Sequence, residues 1–234
     1  MYTILCIMTC RHFLKKNEWI TNVLGLREHK VRSNPLVSVE LTELRKKGIA
    51  AMITHLRLKA YGKINLALDV LGRRDNGYHD VRMIMQTVGL HDRIELYRTK
   101  EPGIRLETNL FYLPNNEQNL AYRAAALLME EFGVKEGVSI KLKKFIPVSA
   151  GMAGGSTDAA AVLFGVNKMF GLGLSIKELM ERGVKLGADI PYCLMRGTAL
   201  SEGIGEELTP LPQIPQCQVL IAKPGISVST KVVY

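Results

Sequence analysis

The chain has 234 residues, 47% of them hydrophobic, and 31 Lys/Arg against 22 Asp/Glu give a formal net charge of +9. That length suits one large or two small domains with room for a packed core, and no apolar run approaches the ~20 residues that a membrane-spanning helix needs. The basic excess is uneven, with nine Lys/Arg against four Asp/Glu in 1–51 and 22 against 18 in the remainder, and no Arg/Lys stripe interleaved with aromatics marks a polynucleotide surface.

Met1–Cys10 is apolar, but Arg11, Lys15 and Lys16 follow the run instead of preceding it, and no small-residue cleavage site comes after. That argues against a secretory signal. Cys6, Cys10, Cys193 and Cys217 make no metal-ligand spacing, and their number fits a reducing cytoplasm. Residues 1–51 hold the one tryptophan, Trp19, and no sustained period. They read as an extension that is disordered or an over-called start, with Met52 as a second initiator. Lys46-Lys47-Gly48, just upstream, is codable by the purine-rich stretch that recruits bacterial ribosomes.

From Met52 the pattern tightens into alternating strands. Leu56–Lys59 and Ile64–Leu71 predict strands, with a turn over Arg73-Arg74-Asp75-Asn76-Gly77. Val81–Val88, Arg93–Tyr97 and Ile104–Glu107 predict three more. Asn119–Phe132, rich in Ala and Leu after Pro114-Asn115-Asn116, predicts a helix, and Val138–Phe145 a strand that ends at Pro147. A glycine-rich loop follows and runs into a helix to about Phe170. Ser175 with Glu178 is a capping box opening a helix to Leu186. Thr198–Glu202 and Glu207–Leu211 flank a glycine-rich turn as a hairpin, Gln218–Ala222 begins a new strand, and Ser229 has the character of a helix N-cap.

The glycine loop carries the chemistry. Pro147, Val148, Ser149, Ala150, Gly151, Met152, Ala153, Gly154, Gly155, Ser156 and Thr157 lead into a helix N-terminus, where bare N–H groups and partial positive charge attract polyanions. Gly151, Gly154 and Gly155 allow close backbone approach to a phosphate, and Ser156 and Thr157 add hydroxyl donors. No Gly-Lys-Ser/Thr closes the loop, so a phosphate-neutralising lysine must come from elsewhere. Three further clusters stand out. On a strand, Lys63, Asn65 and Ala67 share one face and Ile64, Leu66 and Leu68 the other. Lys63 is then either a solvated lysine or a functional one. Tyr78-His79 after Gly77 either caps a hairpin or presents a stacking aromatic beside a hydrogen-bonding ring to a planar base. Asp189, in Gly187-Ala188-Asp189-Ile190-Pro191, is either a turn aspartate or a placed carboxylate.

Together, in this order and spacing from Leu56 to the end of the chain, the four clusters resemble the GHMP kinase superfamily. The resemblance implies an α+β fold, the GHMP kinase amino-terminal domain of the ribosomal protein S5 domain 2-like type over 52–211. The start of an incomplete second α+β domain would follow over 212–234. It implies an ATP-dependent small-molecule kinase acting on an alcohol. Lys63 and Asp189 would be the catalytic pair, and Pro147–Thr157 would wrap the ATP phosphates. Asn119 and Lys144 would line the adenine pocket. Gly-Tyr-His and Lys-Ile-Asn narrow the resemblance to the branch with a cytidyl diphosphate sugar alcohol as acceptor. Tyr78 would stack on the cytosine, His79 would hydrogen-bond it, and Asn65 would stand near the reacting hydroxyl. Mg2+ would travel with ATP, with Ser156 and Asp158 both open as groups that touch it. Homoserine- and mevalonate-type kinases are the nearest enzyme alternatives, and an S5-like nucleic-acid-binding module is the alternative outside enzymes. Cut after its first strand, the second domain would leave Gln218–Tyr234 with an unpaired edge.

Overall fold

The computed structural model describes residues 5–10, 53–75 and 77–223. The Met52 start, Asn76 in the predicted turn and the Ser229 helix cap lie outside the described residues, as does most of the 1–51 extension.

A long antiparallel ribbon organises the molecule. β2 (His55–Arg73) pairs with β3 (His79–Thr99) from His55 opposite Tyr97 to Arg73 opposite His79. Each was expected as two strands. The chain instead runs through, with register shifts between Tyr61 and Lys63, Asn65 and Ala67, and Val70 and Gly72. Short polar or glycine interruptions look like strand ends in sequence, but an irregularity absorbs them without ending the ladder. On the other edge of β3, β5 (Gly137–Lys143) pairs with Arg93–Thr99 and β6 (Thr198–Glu202) with Met83–Gln86. β4 (Gly103–Thr108) lies parallel to β5 outside it, and β7 (Glu207–Leu211) completes the hairpin with β6.

The helices pack on this sheet. α1 (Leu120–Glu131) buries Ala121, Ala124, Ala125, Leu128 and Met129, one stripe at helical spacing. Its N-cap is Asn119, whose Oδ1 accepts from the Ala121 N–H at 3.0 Å while its Nδ2 donates to Pro114 O at 2.8 Å. α2 (Gly154–Phe170) is the central helix and α3 (Ile176–Gly183) carries the predicted capping box. α3 ends short of Leu186 because turns over Val184–Gly187 carry the chain to Asp189. α4 (Ile190–Met195) then returns across α2. Leu56, Leu58, Ile94, Leu96, Leu128, Ile140 and Leu163 form the main core with these helices. Burial of each such side chain contributes roughly 1.5–3 kcal/mol.

A second cluster, on the other side of the ribbon, joins Ile64 and Val88 to Ile146 and Met152 of the glycine loop and to Cys217 and Val219. The last two belong to β8 (Cys217–Ala222), which pairs antiparallel with β1 (Leu5–Cys10). Leu5–Cys10, within the stretch read as a disordered extension or an over-called start, is a strand, and it covers an edge of the strand expected to be unpaired.

Candidate active site

The register shifts of β2 decide where Lys63 points. Leu56, Leu58 and Ala60 face the main core, Ile64 and Leu66 pack in the second cluster, and Leu68 is back against the main core. The even-numbered residues therefore change sides between Ala60 and Ile64 and again between Leu66 and Leu68. Strict alternation, which put Ile64, Leu66 and Leu68 on one face, fails at these two irregularities. Lys63 and Asn65 are turned inward as a consequence. Lys63 is 5% exposed, which removes the solvated-lysine reading, and its Nζ donates to Asn65 Oδ1 at 3.0 Å.

The glycine loop is stitched to the same stretch of ribbon. Lys63 N donates to Met152 O at 3.1 Å, and the Thr157 hydroxyl donates to Tyr61 O at 2.8 Å. Ser149, Gly151 and Ala153 have φ of 54°, 66° and 54°. Two non-glycine residues in the left-handed region store roughly 1–3 kcal/mol each, a cost met where the chain must turn its N–H groups one way. Ala153 is the N-cap of α2 with no side-chain bond to the first turn. Among the described residues no acceptor meets the N–H groups of Gly154, Gly155 or Ser156. They stand at the positive end of a 17-residue helix, where about half an elementary charge collects.

Asp189 arrives from the other side. It is the N-cap of α4, half-buried, yet its carboxylate makes no capping bond. Pro191 at the second helical position has no N–H to offer it. α4 is held by Tyr192, whose hydroxyl donates to Gly197 O at 2.7 Å and lies 3.1 Å from Thr87 Oγ1. Thr87 is the cross-strand partner of Lys63, so Tyr192 sets the distance between Asp189 and the lysine strand. Sequence reasoning had passed over Tyr192, since an aromatic inside a short helix carries no local signal. Burial pushes its phenol up, while the bond from Thr87 opposes this.

Cys193 shows how close these groups are. Burial, foremost, pushes its thiol up; the Asp189 carboxylate adds to this, and the Lys63 ammonium and a hydrogen bond with Thr157 oppose it. One sulfur thus lies within electrostatic reach of Lys63, Asp189 and the first turn of α2. Lys63 and Asp189 form no direct ion pair: the lysine is engaged by Asn65 and the carboxylate makes no capping bond.

Tyr78 and His79 stand elsewhere. They lie at the closed end of the β2–β3 ribbon, where His79 pairs with Arg73, ten residues beyond Lys63. At a strand's rise of about 3.3 Å per residue the separation is at most about 33 Å. Tyr78 is 56% exposed. Arg74 closes this end, donating through its backbone N–H to Tyr78 O at 2.8 Å and through its guanidinium to Asp80.

Lys144, at the entry to the glycine loop, is buried rather than open to a pocket. Its Nζ donates to Asp92 Oδ2 and, at 2.6 Å, to Asp158 Oδ2. Asp92 Oδ1 accepts from the Phe145 and Ile146 N–H groups. Asp158 Oδ1 is buried with no donor facing it. Burial, the largest influence, holds the Asp158 carboxyl well above the usual range, Lys144 opposes this and Asp92 reinforces it. In a dry site with two carboxyls and one ammonium, burial thus favours the protonated form of Asp158. Asp92 is a further residue that sequence reasoning passed over.

Residues 119–197, from the α1 cap to the end of α4, match the family described as GHMP kinases N terminal domain. The chain carries a GHMP kinase N-terminal domain. This GHMP domain is 61% identical over 179 residues to the 4-diphosphocytidyl-2-C-methyl-D-erythritol kinase of Lachnospira eligens, a match covering 76% of the chain and 62% of that protein. The protein of the same name from Lachnoclostridium phytofermentans is 62% identical over 179 residues, with the same coverage. The chain therefore spans less than two thirds of the length of these relatives. A crystal structure of 4-(cytidine 5'-diphospho)-2C-methyl-D-erythritol kinase superposes with a TM-score of 0.62 at 34% identity, covering 76% of this chain and 63% of that one. Homoserine kinase from Cytophaga hutchinsonii superposes at 0.54 with 18% identity, covering 70% of this chain and 54% of that one, a likeness of fold alone. No helix among the described residues is long and apolar enough to cross a membrane.

Proposed function

We propose that the GHMP domain takes part in ATP-dependent phosphorylation of the 2-hydroxyl of 4-diphosphocytidyl-2-C-methyl-D-erythritol, a step of non-mevalonate isoprenoid precursor synthesis. The observation that carries the reading is that hydrogen bonds draw Lys63, Asp189 and the uncapped start of α2 together: Lys63 N bonds Met152 O, Thr157 bonds Tyr61 O, and Tyr192 of the helix that Asp189 caps meets Thr87 opposite Lys63. Asp189, free of any capping bond, accepts the proton of the attacking hydroxyl. Such general-base action is worth about 10²–10⁴-fold in rate. Lys63 offsets charge growing on the transferred phosphoryl group, and Asn65 orients both the lysine and the hydroxyl. The loop Pro147–Thr157 and the Gly154, Gly155 and Ser156 N–H groups hold the ATP phosphates in line. Positioning of this kind supplies most of the catalysis in phosphoryl transfer. Asn119 and Lys144 flank the loop on the side assigned to adenine, though the side chains of both are engaged within the protein.

Mg2+, arriving with ATP, supplies charge neutralisation at the phosphates. Of the two protein groups considered for it, Asp158 is 2% exposed and bonded to Lys144. Ser156, half-buried in the first turn of α2, is the one that fits. The exposed Tyr78 ring favours the cytidyl acceptor over mevalonate or homoserine, which have no base to stack. The buried Lys63 and placed Asp189 favour a kinase over a nucleic-acid-binding module. A cytoplasmic setting suits the buried, reduced thiol of Cys193.

The test is ADP release with Mg-ATP and, in parallel, the cytidyl acceptor, mevalonate and homoserine, beside calorimetric binding of ATP and of RNA. Release with the cytidyl acceptor alone is expected. Release with another acceptor, or RNA binding that exceeds ATP binding, refutes the proposal.

A further inference from the structure

We propose that Lys144 is a positioning residue that bolts the entry of the glycine loop to its exit, and that it does not touch the nucleotide base. The inference rests on the ATP reading above and deepens it. Asp92 gathers the Phe145 and Ile146 N–H groups at the loop's entry, and Asp158 stands in α2 just past its exit. The Lys144 ammonium joins the two carboxyls. The lysine's own backbone is fixed as well: Asn109 Oδ1 accepts from Lys144 N at 2.7 Å, and Asn109 Nδ2 donates to Lys144 O at 3.3 Å. With a side chain only 5% exposed, Lys144 has no face left for a base.

Its position also explains a glycine of the loop. A Cβ at Gly154 would stand 3.1 Å from Lys144 Nζ and 3.2 Å from Ile146 Cγ2. The ammonium passes under the first turn of α2, in the room that the missing side chain leaves. Its charge matters there. Two carboxyls buried behind a helix N-terminus would cancel the field that draws phosphates to it. The ammonium between them offsets that charge, and α2 keeps its positive end.

Two measurements test this. In the first, the wild-type chain is labelled with an amine-reactive acetylating reagent, with and without ATP, and read by peptide mass spectrometry. Lys144 should stay unlabelled in both. Labelling that ATP suppresses would mean that the side chain lines the nucleotide site, and would overturn the proposal. In the second, calorimetry compares wild type and Lys144→Met for ATP and for inorganic tripolyphosphate, which has no base. A displaced loop should weaken both ligands by the same factor, about tenfold or more. Loss confined to ATP, or no loss for either, overturns the proposal. Should Lys144→Met not fold, the labelling result decides alone. A wild-type chain that binds neither ligand refutes the kinase reading itself, a result separate from any seen in the variant.

Discussion

Gly165 lies in the middle of α2 against the ribbon, and Gly165→Ala tests how tightly that helix is seated. Helix propensity alone predicts a gain of about 1 kcal/mol. Packing predicts the reverse. A Cβ built there would stand 2.3 Å from Leu96 Cδ1 and 2.7 Å from Leu58 Cδ1. To reach the 3.4 Å at which ordinary contact begins, those methyls must retreat by 1.1 and 0.7 Å (3.4 less 2.3, and 3.4 less 2.7). Both leucines are at most 2% exposed, so they have nowhere to go without moving further core groups or lifting α2 from the sheet. Overpacking of this kind costs about 1–3 kcal/mol and at times more. With both contacts under 3.0 Å the cost falls in the upper part of that range, about 2–3 kcal/mol; set against the propensity gain, the net expectation is destabilisation by about 1–2 kcal/mol, or a Tm lower by roughly 2–8 °C at this chain length. Urea unfolding followed by circular dichroism should show a lower midpoint with an unchanged m-value. A variant as stable as wild type, or more so, would refute the seating of α2 on Leu58 and Leu96.

The remaining predictions concern the site. Asp189→Asn should abolish turnover while leaving ATP affinity close to wild type; surviving activity would remove Asp189 as the base. Tyr78→Ala should raise the KM for the cytidyl acceptor far more than that for ATP, and equal effects would place Tyr78 outside base recognition. Gly155→Ala should leave stability within about 1 kcal/mol of wild type, since its Cβ meets only Leu120 Cδ1 at an ordinary 3.5 Å. In the proposed reading the Gly155 N–H holds a phosphate and the methyl would crowd it, so ATP affinity should fall, and unchanged affinity would refute that role for Gly155. Asp158→Asn has a pH signature. The folded chain holds the Asp158 proton above the ordinary value of 3.8, where the unfolded chain has released it. The stability this lends wild type is complete below that value and is lost as pH rises through the window above it. Asparagine does not titrate, so the variant's Tm should gain on wild type from about pH 4 upward. A difference that stays constant with pH would refute a protonated Asp158.

Features written in adjacent residues were legible. Ser175 and Glu178 form the expected capping box, the hairpin of Thr198–Glu202 with Glu207–Leu211 falls on the predicted residues, and the glycine loop opens a helix to Phe170. What escaped depends on partners far apart in the chain. The inward turn of Lys63 follows from irregularities whose cause is the pairing with β3, not the β2 sequence. Asp92 reads as one more charged residue between two strands until Lys144, 52 residues later, is brought to it. Tyr192 acquires a role only when Thr87, 105 residues earlier, meets its hydroxyl. A local pattern records what a residue prefers; it does not record which distant group will meet it.

The continuous β2–β3 ribbon has a consequence for acceptor choice. In the proposed reading it acts as a ruler, with the reacting end of the substrate at Lys63 and the recognised base at the closed end beside His79. Graduations on such a ruler are residues. Removing a facing pair from each strand would shorten it by about 7 Å without touching either group, and keeping the count even would preserve which side every side chain faces. Acceptor length would then change by trimming a hairpin, with the phosphate loop and Asp189 left in place.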